Sequence, residues 1–427
     1  MRPPGTDRRK GATEVFMVPA GTARPRLARA RAGSSLLGPA LVAAIAYVDP
    51  GNVASNISAG AQYGYLLVWV IVVANLMAGL VQYLSAKLGL VTGTSLPEAL
   101  RGTLSPGARV GYWIQAEAVA LATDLAEVIG GAVALNLLFG LPLLAGGLIT
   151  GAVSMALLAV QDRRGQRAFE RVVIGMLLVI ATGFLASLFL RPPSPGGVAS
   201  GLVPRLADAD SVLLAAAILG ATVMPHAVYL HSGLARDRHG RPQGARRRRL
   251  LLVTRIDVAI AMLLAGAVNL GMLLLAATNL RGREVETIAG AHEAIGQALG
   301  PVVALLFAIG LLASGLASTS VGSYAGSMIM QGLLRRNVPL LLRRLITLIP
   351  ALAVIAAGAD PSRALVLSQV VLSFGIPFAL IPLVKLTADR DVMGAEVNHP
   401  ATSALAWLVA AAITVLNVAL IWLSATG

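Results

Sequence analysis

Blocks of twenty or more apolar residues recur along the chain and restrict its fold more than any other feature. A block of that length crosses the roughly 30 Å hydrocarbon core of a bilayer as an α-helix. Of the 427 residues, 56% are hydrophobic and only 13% are charged, whereas an average soluble domain is about one quarter charged. The short alternating segments that build membrane barrels are not seen. The pattern therefore predicts an all-α integral membrane protein.

The apolar blocks predict about eleven transmembrane helices in a domain that covers residues 36–427. The candidate spans lie near residues 36–60, 65–90, 109–137, 141–160, 169–190, 210–234, 250–279, 300–331, 339–358, 363–386 and 402–424. The stretch 284–299 mixes polar and apolar residues, which predicts an external amphipathic helix before the eighth span. Residues 1–35 are basic and lack the pattern of a cleaved signal peptide, so they are interpreted as a cytoplasmic tail.

Basic residues concentrate in alternate loops, and this asymmetry predicts the orientation of the chain. With the N-terminus in the cytoplasm, the cytoplasmic segments hold the tail arginines, Arg163, Arg164, Arg167, Arg171, residues 246–249, Arg335, Arg336 and Lys385. The opposite loops hold only Arg191, Arg205, Arg281, Arg283 and Arg363. An odd number of spans then places the C-terminus outside. The net charge of +14 is thus attributed to membrane orientation, and no nucleic-acid partner is predicted.

Two of the predicted spans are interrupted in the middle of the membrane. Residues 46–52 of the first span read AYVDPGN, and residues 220–226 of the sixth read GATVMPH. Proline removes a helix donor and clashes with the preceding turn, and broken backbone at membrane depth is tolerated only where it lines a cavity or is buried in protein. Breaks in spans one and six are typical of a five-plus-five inverted repeat. We therefore predict one repeat at about 36–190, a second at about 210–386, and an extra helix at about 402–424.

The side chains at these breaks indicate a cation site. Asp49 and Asn52 offer oxygen atoms, Met224 offers a thioether sulfur, and unwound backbone frees carbonyls such as those of Ala46 and Ala221. Oxygen ligands alone would suit magnesium or calcium, whereas a sulfur ligand favours softer transition metals. The chain has no cysteine, which excludes disulfides and thiolate metal sites. The alternatives are a packing role for Met224 and a helix-capping role for Asp49.

A second group of ionisable residues lies on the third span. Glu117, Asp124 and Glu127 are seven and three residues apart, so they share one face of an apolar helix. Acids on such a face predict a proton-conducting or aqueous route. Arg343 and Arg344 begin the ninth span and can pair with these acids, or else they anchor the helix at the cytoplasmic surface.

Two histidines of the sixth span are further candidates for proton transfer. His226 ends the Met-Pro-His break, and His231 follows it by little more than one helical turn. Packing within the protein is the alternative for both.

At this point several motifs resemble those of the Nramp family. Residues 49–52 (DPGN) are similar to its first-helix signature, and residues 224–226 (MPH) to its sixth-helix signature. The runs 82–89 (QYLSAKLG), 122–127 (ATDLAE) and 367–373 (LSQVVLS) also resemble the family. The resemblance covers roughly residues 36–424 and is strongest to the bacterial manganese-transporter branch.

The resemblance implies a LeuT-like fold, a bacterial plasma-membrane location and import of divalent metals together with protons. Manganese and iron are the expected substrates, with cadmium, cobalt and zinc as further candidates, and no cofactor is expected. The implied metal ligands are Asp49, Asn52, Met224, the carbonyls of Ala46 and Ala221, and Gln369 in some conformations. The implied proton-pathway residues are His226, Asp124, Glu127, Arg343 and Arg344, which we combine with Asp49, Glu117 and His231.

Three positions depart from the common pattern of this family. They are Ala227, where many relatives have asparagine, and Leu316 and Gly375, where many have glutamine. None of the three is a predicted metal ligand, so the departures bear on conformational rates and on the polarity of the pathway.

Two other classes of function are alternatives to metal transport. An amino-acid symporter of the same fold would bind a substrate carboxylate at half-helix N-termini, but Asp49 would repel that carboxylate. A membrane enzyme or metal sensor would need a nucleophile with a partnered base, a His-Glu-x-x-His motif or a signalling domain, and none is seen. The sequence therefore predicts a transporter that is not an enzyme.

Overall fold

The computed structural model describes residues 39–164, 166–281, 287–336 and 338–426, in which helices are the only regular secondary structure. The first nine helices are α1 (Pro39–Ile45), α2 (Pro50–Tyr63), α3 (Val68–Thr92), α4 (Leu96–Thr103), α5 (Pro106–Phe139), α6 (Leu143–Arg164), α7 (Gln166–Leu190), α8 (Pro195–Gly201) and α9 (Ala209–Thr222). The others are α10 (Pro225–His239), α11 (Gly244–Asn279), α12 (Ile288–Leu299), α13 (Pro301–Leu334), α14 (Leu340–Ala356), α15 (Pro361–Ala388), α16 (Arg390–Met393) and α17 (Pro400–Thr426). Short 3-10 helices occupy Ala46–Val48 and Gly394–Glu396. The predicted tail, residues 1–35, lies outside the described residues.

Each of the eleven predicted spans coincides with a helix or with a pair of half-helices. Within the described residues, seven spans are long and apolar enough to cross a membrane: α3, α5, α9 with α10, α11, α13, α15 and α17. Shorter apolar helices cover 143–158 and 174–190, and α1 with α2 and α14 account for the remaining two spans. The predicted all-α membrane fold is confirmed, whereas the division into two repeats stays a prediction.

Both predicted breaks are present, and proline explains where each new half-helix begins. Pro50 and Pro225 are the first residues of α2 and α10, a position where the missing N–H costs nothing. A residue before proline is driven out of the helical region. Asp49 accordingly has φ −75° and ψ 168°, and Met224 has φ −56° and ψ 122°. The same two prolines therefore leave Asp49 and Met224 in non-helical backbone.

The broken helices lie inside the protein. The most apolar stretch of α9–α10 is 94% buried, compared with 33% for that of α17 at the periphery. Helix α2 packs against α11, α9 against α15, and α10 against α3. The backbone groups released by the breaks are thereby shielded from lipid, where they would remain unpaired.

A glycine allows the closest of these contacts. A Cβ atom on Gly220 of α9 would lie 2.0 Å from the carbonyl oxygen of Gln369 and 2.8 Å from the backbone nitrogen of Ser373, both in α15. Backbone atoms cannot move away from a new Cβ atom as the end of a flexible side chain can. Helices α9 and α15 can therefore approach this closely only with glycine at position 220.

We expect Gly220→Ala to lower the free energy of unfolding by about 1–3 kcal/mol, the usual cost of overpacking a tight interface. Thermal unfolding in detergent measures this loss. Gly111→Ala is the matched control, because a Cβ there meets no atom within 4 Å and alanine favours the helix. Equal destabilisation by the two substitutions would contradict the proposed close approach.

Candidate functional site

Asp49 lies at the centre of the first break and is held by hydrogen bonds from two helices. Its Oδ1 atom accepts from the backbone N–H of Asn52 at 2.8 Å and from Asn52 Nδ2 at 3.0 Å. Its Oδ2 atom accepts from Gln369 Nε2 at 3.2 Å. All three side chains are fully buried. The structure thus places one carboxylate and two amides, from α2 and α15, around the same point.

The second break joins this group through Asn52. Its Nδ2 atom also donates to the carbonyl of Ala221 at 2.9 Å, three residues before the buried Met224. The carbonyl of Ala221, in the last turn of α9, thus accepts a hydrogen bond from the first turn of α2, and its role as a metal ligand stays a prediction. Ala46 is buried and begins the 3-10 turn before Asp49.

Two oxygen atoms in this cluster have no hydrogen-bond partner. They are Asn52 Oδ1 and Gln369 Oε1, and both are buried. Buried polar atoms are almost always paired, so two such orphans beside a carboxylate are available to coordinate a cation. Among the described residues no group of three His, Cys, Asp or Glu side chains forms a metal site. A cation bound here would instead use one carboxylate and several neutral donors.

The acids of α5 pair with the two arginines of α14. Arg344 Nη1 lies 2.7 Å from Asp124 Oδ1 and 3.8 Å from Glu127 Oε2. Arg343 contacts both carboxylate oxygens of Glu117, at 2.8 and 2.9 Å. The spacing of seven and three residues on α5 therefore produces one row of ion pairs, as the sequence predicted; its role in proton transfer stays a prediction.

The inner part of this row is sealed from solvent. Arg344, Asp124 and Glu127 are buried, and neither carboxylate oxygen of Glu127 has a hydrogen-bond partner. Arg344 is oriented by Ser154 Oγ at 3.0 Å and Thr319 Oγ1 at 3.4 Å. Neither hydroxyl was predicted from the sequence, because serine and threonine are common in membrane helices and carry no signal of their own.

The two histidines of α10 belong to different networks. His226 Nδ1 lies 3.4 Å from Thr123 Oγ1, next to Asp124, so it connects the second break with the acidic face of α5. His231 Nδ1 lies 2.7 Å from Gln82 Oε1, and Gln82 Nε2 donates to the Tyr47 hydroxyl. Neither Tyr47 nor Gln82 was among the predicted site residues, although a glutamine inside the apolar α3 was a signal that could have identified the second.

A cavity of about 670 Å³ opens at one end of the helices that carry the site. It is lined by Ser58 of α2, six residues beyond Asn52, and by Val366 of α15, three residues before Gln369. At 1.5 Å per residue these positions are about 9 and 4.5 Å from the site along their helices. At the same end, the Tyr63 hydroxyl donates to Asp208 at 2.6 Å, and this bond lowers the pKa of that carboxyl.

We expect Arg344→Met to destabilise the protein by about 3–5 kcal/mol, because it leaves buried carboxylates without their cation. Adding Asp124→Asn removes one of those charges and should restore part of the loss. Thermal unfolding of both variants in detergent tests this, with the exposed Arg336→Met as control. A double variant no more stable than Arg344→Met would show that charge compensation is not what Arg344 provides.

Comparison with known proteins agrees with the features of this site. The family model described as "Natural resistance-associated macrophage protein-like" (Nramp) matches residues 40–423. A Mycobacterium tuberculosis protein named "Divalent metal cation transporter MntH" is 66% identical over 394 residues, 92% of each chain.

Solved structures support the same assignment. The manganese transporter of Eremococcus coleocola, in complex with an aromatic bis-isothiourea substituted compound, is 31% identical with a TM-score of 0.83, covering 94% of this chain and 88% of its own. Mhp1, a nucleobase-cation-symport-1 family transporter, has a TM-score of 0.59 at 15% identity, covering 91% and 93%. The second match shows the fold alone and confirms the predicted LeuT-like architecture. The chain is thus a multi-pass membrane protein that belongs to the Nramp family of metal-ion transporters.

Proposed function

We propose that this protein imports divalent transition metals, manganese and iron foremost, together with protons by alternating access. The observation that carries the proposal is the buried cluster at the two breaks. There Asp49 supplies the negative charge, and the unpaired amide oxygens of Asn52 and Gln369 lie beside it. The printed names of the M. tuberculosis and E. coleocola proteins, a divalent metal cation transporter and a manganese transporter, support the same substrate class.

The donor set distinguishes transition metals from calcium and magnesium. Calcium takes six to eight oxygen ligands, and magnesium requires oxygen in near-ideal octahedral geometry. Met224 would place a thioether at this site, and sulfur is a poor ligand for both of those ions. A single carboxylate also limits the charge that the site can neutralise. Manganese, iron and the softer cadmium, cobalt and zinc therefore fit the cluster better.

The same cluster disfavours an amino-acid substrate. A substrate carboxylate would be expected at the N-terminus of a half-helix. The N-terminus of α2 is already occupied by the carboxylate of Asp49, which accepts the N–H of Asn52. A second carboxylate would be repelled from that position.

The two ends of the site suggest how access alternates. With the proposed orientation, the cavity lined by Ser58 and Val366 opens to the outside, and its lining includes the acids Asp210 and Asp360, which attract cations. On the opposite side, the half-helix α1 and the Tyr47–Gln82–His231 network are buried and block the way to the cytoplasm. Inward release would require α1 to separate from α10 and α11.

Protons are proposed to follow the ion-pair row of α5 and α14. His226 links the metal site to Thr123 and Asp124, and Glu127 and Glu117 extend the row along α5. This route is separate from the metal cavity, so the two ions need not compete for one passage. The membrane potential of the bacterial plasma membrane drives both positive charges inward, with the N-terminus in the cytoplasm and the C-terminus outside.

Asp49→Ala is expected to abolish manganese uptake into proteoliposomes under an imposed pH gradient and potential. The variant loses the only carboxylate in the cluster, and with it most of the compensation for dehydrating the ion. Asp391→Ala, an exposed acid outside the site, should transport normally. Near-normal manganese uptake by correctly inserted Asp49→Ala protein would refute the site.

Met224→Ala should change the preference among ions rather than stop transport. Removing the sulfur weakens cadmium uptake most and manganese less, and it relaxes the exclusion of calcium and magnesium. Met272→Ala is the matched control, because Met272 is equally buried in α11 and its truncation costs about 2–5 kcal/mol through packing alone. If the cadmium-to-calcium ratio in Met224→Ala equals that in Met272→Ala, Met224 is a packing residue.

Asp124→Asn should slow proton movement more than it weakens metal binding, because Asp124 pairs with Arg344 away from the two breaks. Proton flux is measured with a pH-sensitive dye inside vesicles, and manganese affinity by calorimetry on the same preparation. Equal losses in both quantities would place Asp124 in the metal site and contradict a separate proton route.

A further inference from the structure

A groove runs between α3 and α11 on a lipid-facing side of the protein, away from the metal site. Its cavity measures about 500 Å³. Leu76 and Leu263, 69% and 71% exposed, form opposite walls, and Val258 and Met262 are buried beneath. We call this feature the α3–α11 groove.

The floor of the groove is open because α3 has a glycine there. A Cβ atom on Gly79 would meet only Met262 Cγ, at 3.7 Å. At the deep end, Asn75 Nδ2 donates to the carbonyl of Met262 at 3.0 Å and joins the two helices. From Asn75 to Tyr83 the groove is about 12 Å long at 1.5 Å per residue. It is therefore a narrow apolar slot, closed at one end.

The other end of the groove is basic. Arg255 stacks over the Tyr83 ring at 5.0 Å and donates to its hydroxyl at 3.4 Å. No carboxylate in the described part of the chain forms an ion pair with Arg255, although its side chain carries five N–H donors. Tyr83 thus holds the guanidinium plane in place and leaves most of its donors available.

Two more cations lie near this end, where Glu396 offsets part of the charge of Lys87. Lys87 follows Tyr83 by one turn of α3 and donates to Asn398 Oδ1 at 2.8 Å. Arg248 is exposed and precedes Arg255 by seven residues, so the two share one face of α11. An apolar slot that ends in an oriented guanidinium and further positive charge matches a lipid whose headgroup is anionic.

We propose that the α3–α11 groove binds one anionic glycerophospholipid, with its phosphodiester on Arg255 and an acyl chain in the slot over Gly79. Guanidinium groups bind phosphate through paired N–H donors, and basic pockets between membrane helices are suited to anionic headgroups. A zwitterionic lipid would bring its own ammonium group towards Arg255 and Lys87. The charge at the mouth therefore selects phosphatidylglycerol over phosphatidylcholine.

Native mass spectrometry of the purified full chain tests this, with phosphatidylglycerol and phosphatidylcholine of identical acyl chains. The expected result is one retained phosphatidylglycerol per protein. Its occupancy should be about fivefold above that of phosphatidylcholine, because one arginine at the membrane surface supplies a preference of this size. Arg255→Gln should bring the ratio of the two lipids close to one. Gly79→Leu should lower the occupancy of both lipids, because it fills the slot and leaves the headgroup site intact.

Arg336→Gln is the matched control, since it removes an exposed arginine outside the groove and should change neither quantity. Equal retention of the two lipids by the unaltered protein would overturn the proposal. So would a phosphatidylglycerol preference that survives in Arg255→Gln. Unchanged occupancy in folded Gly79→Leu protein would show that the lipid does not lie in this groove.

Discussion

The carboxylate of Asp49, held at the N-terminus of a half-helix inside the protein, is the interaction on which the rest of the structure depends. A charge at this depth is costly unless it is compensated. Part of the compensation comes from the free N–H groups and the positive dipole end of α2, where the backbone N–H of Asn52 donates to Asp49. Pro50 begins α2 directly after Asp49, so the residue that breaks the helix also creates the end that stabilises the acid.

A single carboxylate at a helix end can bind a counter-ion. Gln369 and Asn52 direct their N–H groups at Asp49, and each keeps an unpaired oxygen beside it. A cation that enters can be coordinated by these oxygens. The two amides would then be ligands of the ion, in addition to hydrogen-bond donors to Asp49. Asn52 lies in α2, Gln369 lies in α15, and Met224 directly precedes α10. An ion bound by these residues would therefore hold together helices that must separate during transport.

The second buried charge system contains cations of its own. Arg344 faces both Asp124 and Glu127 and is oriented by hydroxyls of α6 and α13. This difference in compensation explains the proposed division of labour. In this proposal the site at Asp49 takes up an external cation, whereas the row on α5 already contains arginines and exchanges protons. His226, between the two, is the point where they can influence each other.

Local rules were enough to predict the helices and the breaks from the sequence. Each of the eleven predicted spans coincides with a helix or a pair of half-helices, although α11 begins six residues before its predicted start, at Gly244, because arginines are good helix formers and extend the helix into the loop. Pairing of Arg343 and Arg344 with the acids of α5 was one of two alternatives that the sequence left open, and the common face of those acids followed from helical spacing. The hydrogen bond from Asn52 to Ala221, the Tyr47–Gln82–His231 network and the α3–α11 groove did not, since each depends on how distant helices pack against one another.

In the proposed site, the two broken helices together coordinate a transition metal through oxygen atoms and one thioether sulfur. X-ray absorption spectroscopy on the manganese-loaded protein measures this directly, because sulfur and oxygen scatter differently and lie at different distances from the metal. We expect the manganese to be surrounded by oxygen ligands and a single sulfur. A shell of oxygen atoms alone, with no sulfur contribution, would contradict it.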